Sequence, residues 1–338
     1  MGYHRLWSHQ AYRARFPLRI LLATLGTAGY QGSIKWWVLR HRLHHRYTDT
    51  SEDPYNSKNG FWFSHIGWIF YKPVYKKLKW IDISDIMRDP IVRIQHRFYP
   101  FFALFVSFVI PTLVGYLWND ALGGFLYGGI VCRLLVWHGT FCINSFAHWL
   151  GDQKFSKETT ARGGFLLALL TVGEGYHNFH HEFPKDYRNG IRFWDFDPTK
   201  WCIWVSAFFK QAYNLYRYDD NEIEKAALVL QEEEMHFKKS KLLWGPDPLP
   251  EMSMDTFEAL VAANTGKKLI MLSGLVLDVT DFAAIHPGGE KLIMNCVGKD
   301  ATNAFYGPLN NHTKSARLML QTLSVAKLVD KDAMKKEE

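Results

Sequence analysis

Residues Phe98–Trp118 read FYPFFALFVSFVIPTLVGYLW, 21 residues without a charged side chain. A helix rises about 1.5 Å per residue, so this stretch covers the roughly 30 Å of a bilayer interior. Pro111 lies inside it and is expected to bend the helix, a disturbance that neighbouring helices can absorb. After the polar turn Asn119-Asp120, a second apolar stretch runs from Ala121 to Leu150, with Arg133 as its only fixed charge. Transmembrane helices are therefore expected at about 98–118 and 121–147. Two crossings bring the chain back to the face it left. Arg93, Arg97, Lys154 and Lys157 flank the hairpin and Asp120 sits in its turn, which puts the flanks on the cytosolic side. Asn144 and His148, four residues apart near the end of the second span, are polar groups at a depth where polar groups usually serve function. The short charge-free segment Ile20–Ile34 reads as an interfacial or re-entrant helix rather than a span.

Outward from the hairpin, histidines recur at fixed spacing. RHRLHHRYTD before it carries His41, His44 and His45; EGYHNFHHEFP after it carries His177, His180 and His181; GYHRLWSHQAY near the start carries His4 and His9. Positions i, i+3 and i+4 share one face of a helix, so each HxxHH points three imidazoles at one small volume. Neutral imidazole is the commonest protein metal ligand. Because the two HxxHH boxes flank a two-span hairpin, both lie on the same membrane face, as a shared metal site requires. With His148 these make nine histidines, more than one tetrahedral or octahedral ion accepts, and two metals are the simple solution, with Asn144 completing one sphere directly or through water. The carboxylates of Glu174, Asp49 and Asp53 have two readings of equal weight, groups that orient imidazoles from behind or solvated loop charges.

The bulk numbers agree with a membrane setting. Aromatic content is 16% with 13 Trp, as expected of interfacial belts or a long apolar substrate surface. The net charge of +7 suits anionic lipid headgroups or a phosphate-bearing substrate, and the apolar spans favour these over nucleic acid. Cys132, Cys142, Cys202 and Cys296 are far apart, which excludes a disulfide framework and a thiolate metal site. No segment at the start reads as a cleavable signal peptide.

The C-terminal third reads as a separate domain. A charged, helix-prone segment (219–241) gives way to the proline-rich WGPDPLP, so a membrane domain is expected over 1–240, a linker at 241–250 and a small α+β domain at 251–332. In that domain VLDVT, Phe282, HPGGEKLI and GKDATNAF follow in order, and this run resembles the cytochrome b5 family. The resemblance implies haem b held by two axial histidines, His286 and one downstream, with both positions filled and electron transfer left as the role. His312 is the available partner; it lies two residues beyond the usual spacing, where Asn310 falls, and an insertion in GPLNNH accounts for the offset.

A haem domain on the same chain supplies electrons, which zinc does not need, so redox-active iron is the better assignment for the histidine boxes. HRLWSH, HRLHH, NSFAHWLG and HNFHH around a transmembrane hairpin resemble the membrane acyl-CoA Δ9 desaturases of the stearoyl-CoA desaturase family, and the fused cytochrome b5 domain resembles the fungal form. The resemblance implies a mostly α, integral-membrane helical desaturase with a cytosolic histidine-rich cap, in the endoplasmic reticulum. It places a di-iron centre on His4, His9, His41, His44, His45, His148, His177, His180 and His181, with Asn144 as a water-mediated ligand. Trp37 takes the family position near the substrate tunnel, and Lys58 and Asn59 stand where the family has basic residues facing coenzyme A phosphates, although Asn59 carries no charge. Implied partners are long-chain acyl-CoA, dioxygen, NADH-cytochrome b5 reductase and the lipid bilayer, without nucleic acid. The family normally has two further spans before the first box, whereas here only Met1-Gly2-Tyr3 precede His4; an N-terminally truncated form is expected, whether a truncated gene model, a fragment or a variant isoform. Two other readings fit the same residues: a related di-iron lipid hydroxylase or desaturase, and an inactive truncated paralogue that only binds haem or metal.

Overall fold

A computed structural model of the chain describes residues 1–71, 74–242, 244–263, 265–307 and 312–329. The chain divides into two compact units, Met1–Glu234 and Met235–Glu338.

The first unit is helical. A π-helical turn, Gly2–Ser8, leads through the two-residue strand β1 (Arg13–Ala14) to α1 (Phe16–Ala28) and α2 (Ile34–Tyr47). Helix α1 is short and two-faced: Leu18, Leu22 and Ala23 are buried, while Phe16, Ile20, Leu21 and Leu25 are exposed. It fits the expected interfacial segment but starts earlier and stops at Ala28, where Gly29 begins a turn to Ser33, whose hydroxyl caps α2 by accepting from Trp36 N.

Helix α3 (Pro90–Arg97) then runs into α4 (Tyr99–Tyr116) and α5 (Ala121–Trp149), the two helices long and apolar enough to cross a membrane. Their bounds lie within two residues of those expected. Pro111 does not break α4. A π turn at Phe105–Val109 precedes it, and such a bulge is one way a helix takes up a residue that cannot donate its backbone bond. The spans approach closely where they have no side chains: a Cβ on Gly124 would meet the Pro111 carbonyl at 2.4 Å and Gly115 Cα at 2.9 Å. Arg133, buried inside the hairpin, donates to the Ser107 carbonyl at 2.8 Å, which satisfies part of its hydrogen-bonding demand within the protein.

After the hairpin come α6 (Phe165–Leu170), α7 (His177–Glu182), α8 (Pro198–Phe208), strand β2 (Ala212–Tyr213) and α9 (Asp220–Ser240). Strand β2 pairs antiparallel with β1 and so ties the end of this unit to its beginning. One apolar core joins the π turn, α1 and α2 through Tyr3, Leu6, Trp7, Leu22, Ile34 and Val38.

The second unit holds a four-stranded sheet in the order β3-β6-β5-β4, from Glu251–Ser253, Ser324–Val329, Leu275–Asp278 and Leu269–Leu272. Strands β4 and β5 form a hairpin whose two-residue turn, Ser273-Gly274, has positive φ at both positions (51° and 80°), the twist a tight hairpin prefers. Helices α10 (Met254–Ala262), α11 (Glu290–Met294), α12 (Thr302–Tyr306) and α13 (Lys314–Leu323) complete it around Ile270, Leu272, Leu277 and Leu320.

Candidate metal centre and its cavity

All nine histidines come together, but as two groups. His4, His9, His41, His45 and His180 form one, and His44, His148, His177 and His181 the other; within each, one ligand atom per residue lies within 4.8 Å of the rest. Each HxxHH box is therefore shared between the groups, a correction to the expectation that a box points at one volume. Helix geometry explains the division. At about 100° per residue, i and i+4 lie 40° apart, whereas i+3 and i+4 lie 100° apart. His41 and His45 accordingly join one group and His44 the other; in α7, His177 and His181 pair while His180 crosses over.

His4 and His9, five residues apart, would fall on different sides of an α-helix. The π turn corrects this: His9 N donates to the His4 carbonyl at 3.2 Å, and the two rings are 5.0 Å apart. The distances within the groups suit coordination. His4–His180, His180–His45 and His9–His41 have Nε2–Nε2 separations of 2.9, 3.1 and 2.7 Å. In the second group His44–His181, His148–His177 and His177–His181 are at 3.3, 3.1 and 3.0 Å. Ring protons cannot serve all these contacts, since the Nε2 of His180 and of His181 each meet two partners. Nitrogens adjacent on an octahedron about 2.1 Å from its centre lie about 3 Å apart, so a cation in each group resolves the conflict.

Groups behind the rings fix their tautomers. His44 Nδ1 donates to Asp53 Oδ1 at 2.8 Å, His4 Nδ1 lies 3.0 Å from Glu174 Oε2, and His148 Nδ1 lies 2.8 Å from Thr160 Oγ1, which itself donates to Asp49 at 2.7 Å. Each of these rings thereby keeps its Nε2 lone pair for the centre. Burial lowers His9, His41, His45, His177, His180 and His181 well below the usual histidine value, and neighbouring imidazoles lower them further, so these rings are neutral at pH 7. Burial alone would raise Glu174; Arg5 and His4 outweigh it and hold the carboxyl well below its ordinary range. Asp53 follows the same logic, with His44 overcoming the effect of burial. The three carboxylates singled out in the sequence thus all stand behind imidazoles, Asp49 through Thr160.

Neither Thr160 nor the buried Arg5 was marked by any sequence signal. Arg5 binds Asp197 through both terminal nitrogens (3.0 and 2.8 Å) and Glu174 at 2.9 Å. Asp197 shows only as a helix start, DPTK, with its carboxylate accepting from Lys200 N.

A cavity of about 610 Å³ opens on this centre. Its wall includes Trp37, His41, Tyr55, Trp68, Phe141 and Asn144. Trp37 stacks on His41 at 4.6 Å and 19°, so the tryptophan assigned to the tunnel touches both cavity and centre. Asn144 faces the cavity and makes no hydrogen bond to a cluster histidine among the described residues. It does not share an unbroken helix with His148 either: α5 is interrupted at Ser145. Lys58 and Asn59 are exposed in a turn and absent from the cavity wall; the cation there is Arg40, over the Trp36 ring at 4.0 Å.

In the second unit, His286 Nδ1 lies 3.2 Å from the Gly289 carbonyl, and His312 Nδ1 lies 2.9 Å from the Phe305 carbonyl with its ring stacked on Phe305 at 4.1 Å. Among the described residues neither ring uses its Nε2 in a hydrogen bond. A Cβ on Gly288 would meet His286 Cε1 at 2.9 Å, so glycine there lets the ring sit. Asn310 lies outside the described residues.

Two histidine clusters, drawn mostly from the segments on either side of a long apolar helical hairpin, define a membrane protein built to hold two metal ions. The family is shown by comparison: the fatty acid desaturase model matches residues 1–218 and the cytochrome b5-like heme/steroid binding domain matches 256–329, and the chain belongs to the fatty acid desaturase family. Such domains imply a di-iron centre and a haem. Similar proteins include acyl-CoA desaturase 1 of Saccharomyces cerevisiae, 45% identical over 96% of this chain and 64% of its own length. A probable acyl-CoA desaturase of Schizosaccharomyces pombe is 46% identical over 96% and 67%, and human stearoyl-CoA desaturase 5 is 41% identical over 60% and 63%. The chain thus spans 64% of the length of the Saccharomyces cerevisiae relative and 67% of that of the Schizosaccharomyces pombe one.

Proposed function

We propose that this protein is an acyl-CoA desaturase that places a cis double bond at the Δ9 position of a saturated long-chain acyl-CoA. The observation that carries the reading is the aromatic cavity whose wall includes His41, a member of the five-histidine cluster, with Trp37 stacked against it. A slot of this kind holds an extended apolar chain so that one methylene pair meets the centre, which is positioning rather than acid–base chemistry. The names of the relatives, acyl-CoA and stearoyl-CoA desaturases, point to the same substrate class.

The nine histidines would hold two irons, and His286 and His312 a haem; iron supplies oxidising power toward unactivated C–H bonds with dioxygen, and haem supplies single-electron transfer. Asp53, Glu174 and the Thr160–Asp49 pair keep imidazole lone pairs aimed inward. Trp37, Trp68 and Phe141 exclude water and grip the chain, and Arg40 offers the cavity a positive charge toward a phosphate-bearing head group. Lys58 and Asn59 are kept as outer contacts to that head group, and Asn144 as a ligand through water. In the net reaction two C–H bonds break and one C=C bond forms. Dioxygen becomes two waters, taking two electrons and two protons from the substrate and two of each from the donor side. Electrons would come from NADH through cytochrome b5 reductase to the haem unit, joined by residues 241–250, at the cytosolic face of the endoplasmic reticulum.

The test is lipid analysis of yeast lacking its own Δ9 desaturase and expressing this chain. Δ9-monounsaturated acyl chains are expected; a hydroxylated product, or no product from protein that holds its metals, refutes the reading.

A further inference from the structure

The loop between α2 and the turn at Lys58 has two attachments that the chemistry of the clusters does not by itself require. Asp53, buried with 1% of its side chain exposed, uses one oxygen twice: Oδ1 accepts from His44 Nδ1 at 2.8 Å and from the backbone N of Tyr55 at 3.0 Å. Its other oxygen accepts from Asp49 N at 2.9 Å. Tyr55 is a wall of the cavity; its ring lies 5.5 Å from the His44 ring and meets Trp68, another wall residue, edge-on at 4.8 Å. One carboxylate therefore joins a metal-facing imidazole to the substrate wall.

The same loop reaches a second imidazole of the same cluster. Asp49 adopts φ of 63°, a left-handed conformation that costs a residue with a side chain energy and persists only where surroundings enforce it. Its carboxylate is held by Ser57 Oγ at 3.1 Å, Thr160 N at 2.6 Å and Thr160 Oγ1 at 2.7 Å, and Thr160 Oγ1 is the partner of His148 Nδ1 at 2.8 Å. His44 and His148 both belong to the four-histidine cluster. The five-histidine cluster meets the cavity differently, by direct contact through His41 and Trp37. Its rear carboxylate, Glu174, binds Arg5 and Asn189, neither of which lines the cavity.

We propose that Asp53 is a positioning residue that couples the cavity wall at Tyr55 to His44, so that an acyl chain in the cavity is felt at the four-histidine cluster through the Asp49–Ser57 loop. This rests on the acyl-CoA reading above. The physical basis is that Asp53 Oδ1 cannot follow a displaced Tyr55 amide without altering its bond to His44, and Asp49, pinned at both ends, prevents the loop from absorbing the shift.

The test is Mössbauer spectroscopy of the full chain loaded with ⁵⁷Fe and reduced, with and without stearoyl-CoA, alongside gel filtration to measure bound stearoyl-CoA. In the wild-type protein the signals of both non-haem irons are expected to shift on binding. In Tyr55→Ala, which keeps the backbone bond but removes the ring that touches the cavity, only one signal should shift, and Tyr55→Phe should restore the second. Bound stearoyl-CoA with a single shifted signal in the wild type, or two shifted signals in Tyr55→Ala, overturns the coupling. Failure of iron-loaded wild-type protein to bind stearoyl-CoA overturns the acyl-CoA reading, and the coupling with it. If Tyr55→Ala does not retain two irons, the wild-type response decides alone.

Discussion

Replacing Asp53 should weaken one metal site and spare the other. Among the described residues, Asp53 is the acceptor for His44 Nδ1, at 2.8 Å, and makes no hydrogen bond to the five-histidine cluster. Loss of a carboxylate behind a metal-bound imidazole costs about 10–100-fold in metal affinity, or about 1.4–2.7 kcal/mol. Asp53→Asn keeps an oxygen for His44 and Tyr55 but turns an NH2 toward the Asp49 N–H, and should fall near the lower end. Asp53→Ala strands two buried backbone donors as well and should fall near the upper end. The assay is chelator titration of the full chain, with non-haem iron counted by mass spectrometry against haem as an internal standard. One of the two irons should leave at 10–100-fold lower chelator concentration and the other should hold its wild-type value. Glu174→Gln should act on the opposite site, because its carboxylate stands behind His4. Parallel loss of both irons in the Asp53 variants, or titrations that match wild type, would refute the assignment of separate clusters with separate carboxylates.

Asp197→Asn neutralises one of the two carboxylates on the buried Arg5, leaving Glu174, and should destabilise the membrane unit by about 1.5–3 kcal/mol, read as a lowered thermal midpoint; an unchanged midpoint contradicts the role given to this pair. In metal-free protein, the six histidines lowered well below 6.5 take up protons in the unfolded chain before the folded one, so stability is full above about pH 6.5 and falls as pH drops. Each histidine contributes about 1.4 kcal/mol per pH unit within that window, and denaturation of chelator-treated protein at pH 7.5 and 5.5 should show a lower midpoint at 5.5, an equal or higher one being contrary. Glu174 and Asp53, also lowered, add the same sign below about pH 4. His286→Ala should abolish the low-spin haem absorption and leave the two non-haem irons in place; retained haem spectra would remove His286 from that role.

What the sequence made legible was set by local periodicity. The spans at 99–116 and 121–149 follow from unbroken apolar runs, and the histidine boxes from i, i+3, i+4 spacing that survives any tertiary arrangement. The β4–β5 hairpin falls inside the segment expected to be a small α+β domain. What escaped depends on partners distant in the chain or on backbone choices that leave no residue signature. Arg5 meets Asp197 across 192 positions, and Thr160 reaches Asp49 across 111. The π turn that unites His4 with His9 has no compositional mark, and the allocation of each box between two clusters appears only once α2 and α7 face one another. Lys58 and Asn59 were placed by family position alone, and the fold instead sets Arg40, beside His41 in sequence, in the cavity wall.

The nine imidazoles are proposed to hold two irons apart from the haem. Total iron per chain, set against haem measured as its pyridine complex, decides this. Three irons with one haem are predicted, together with a nitrogen-dominated first shell near 2.1 Å in X-ray absorption of the non-haem iron. One iron, all of it as haem, with the histidine clusters empty or holding zinc, would contradict it.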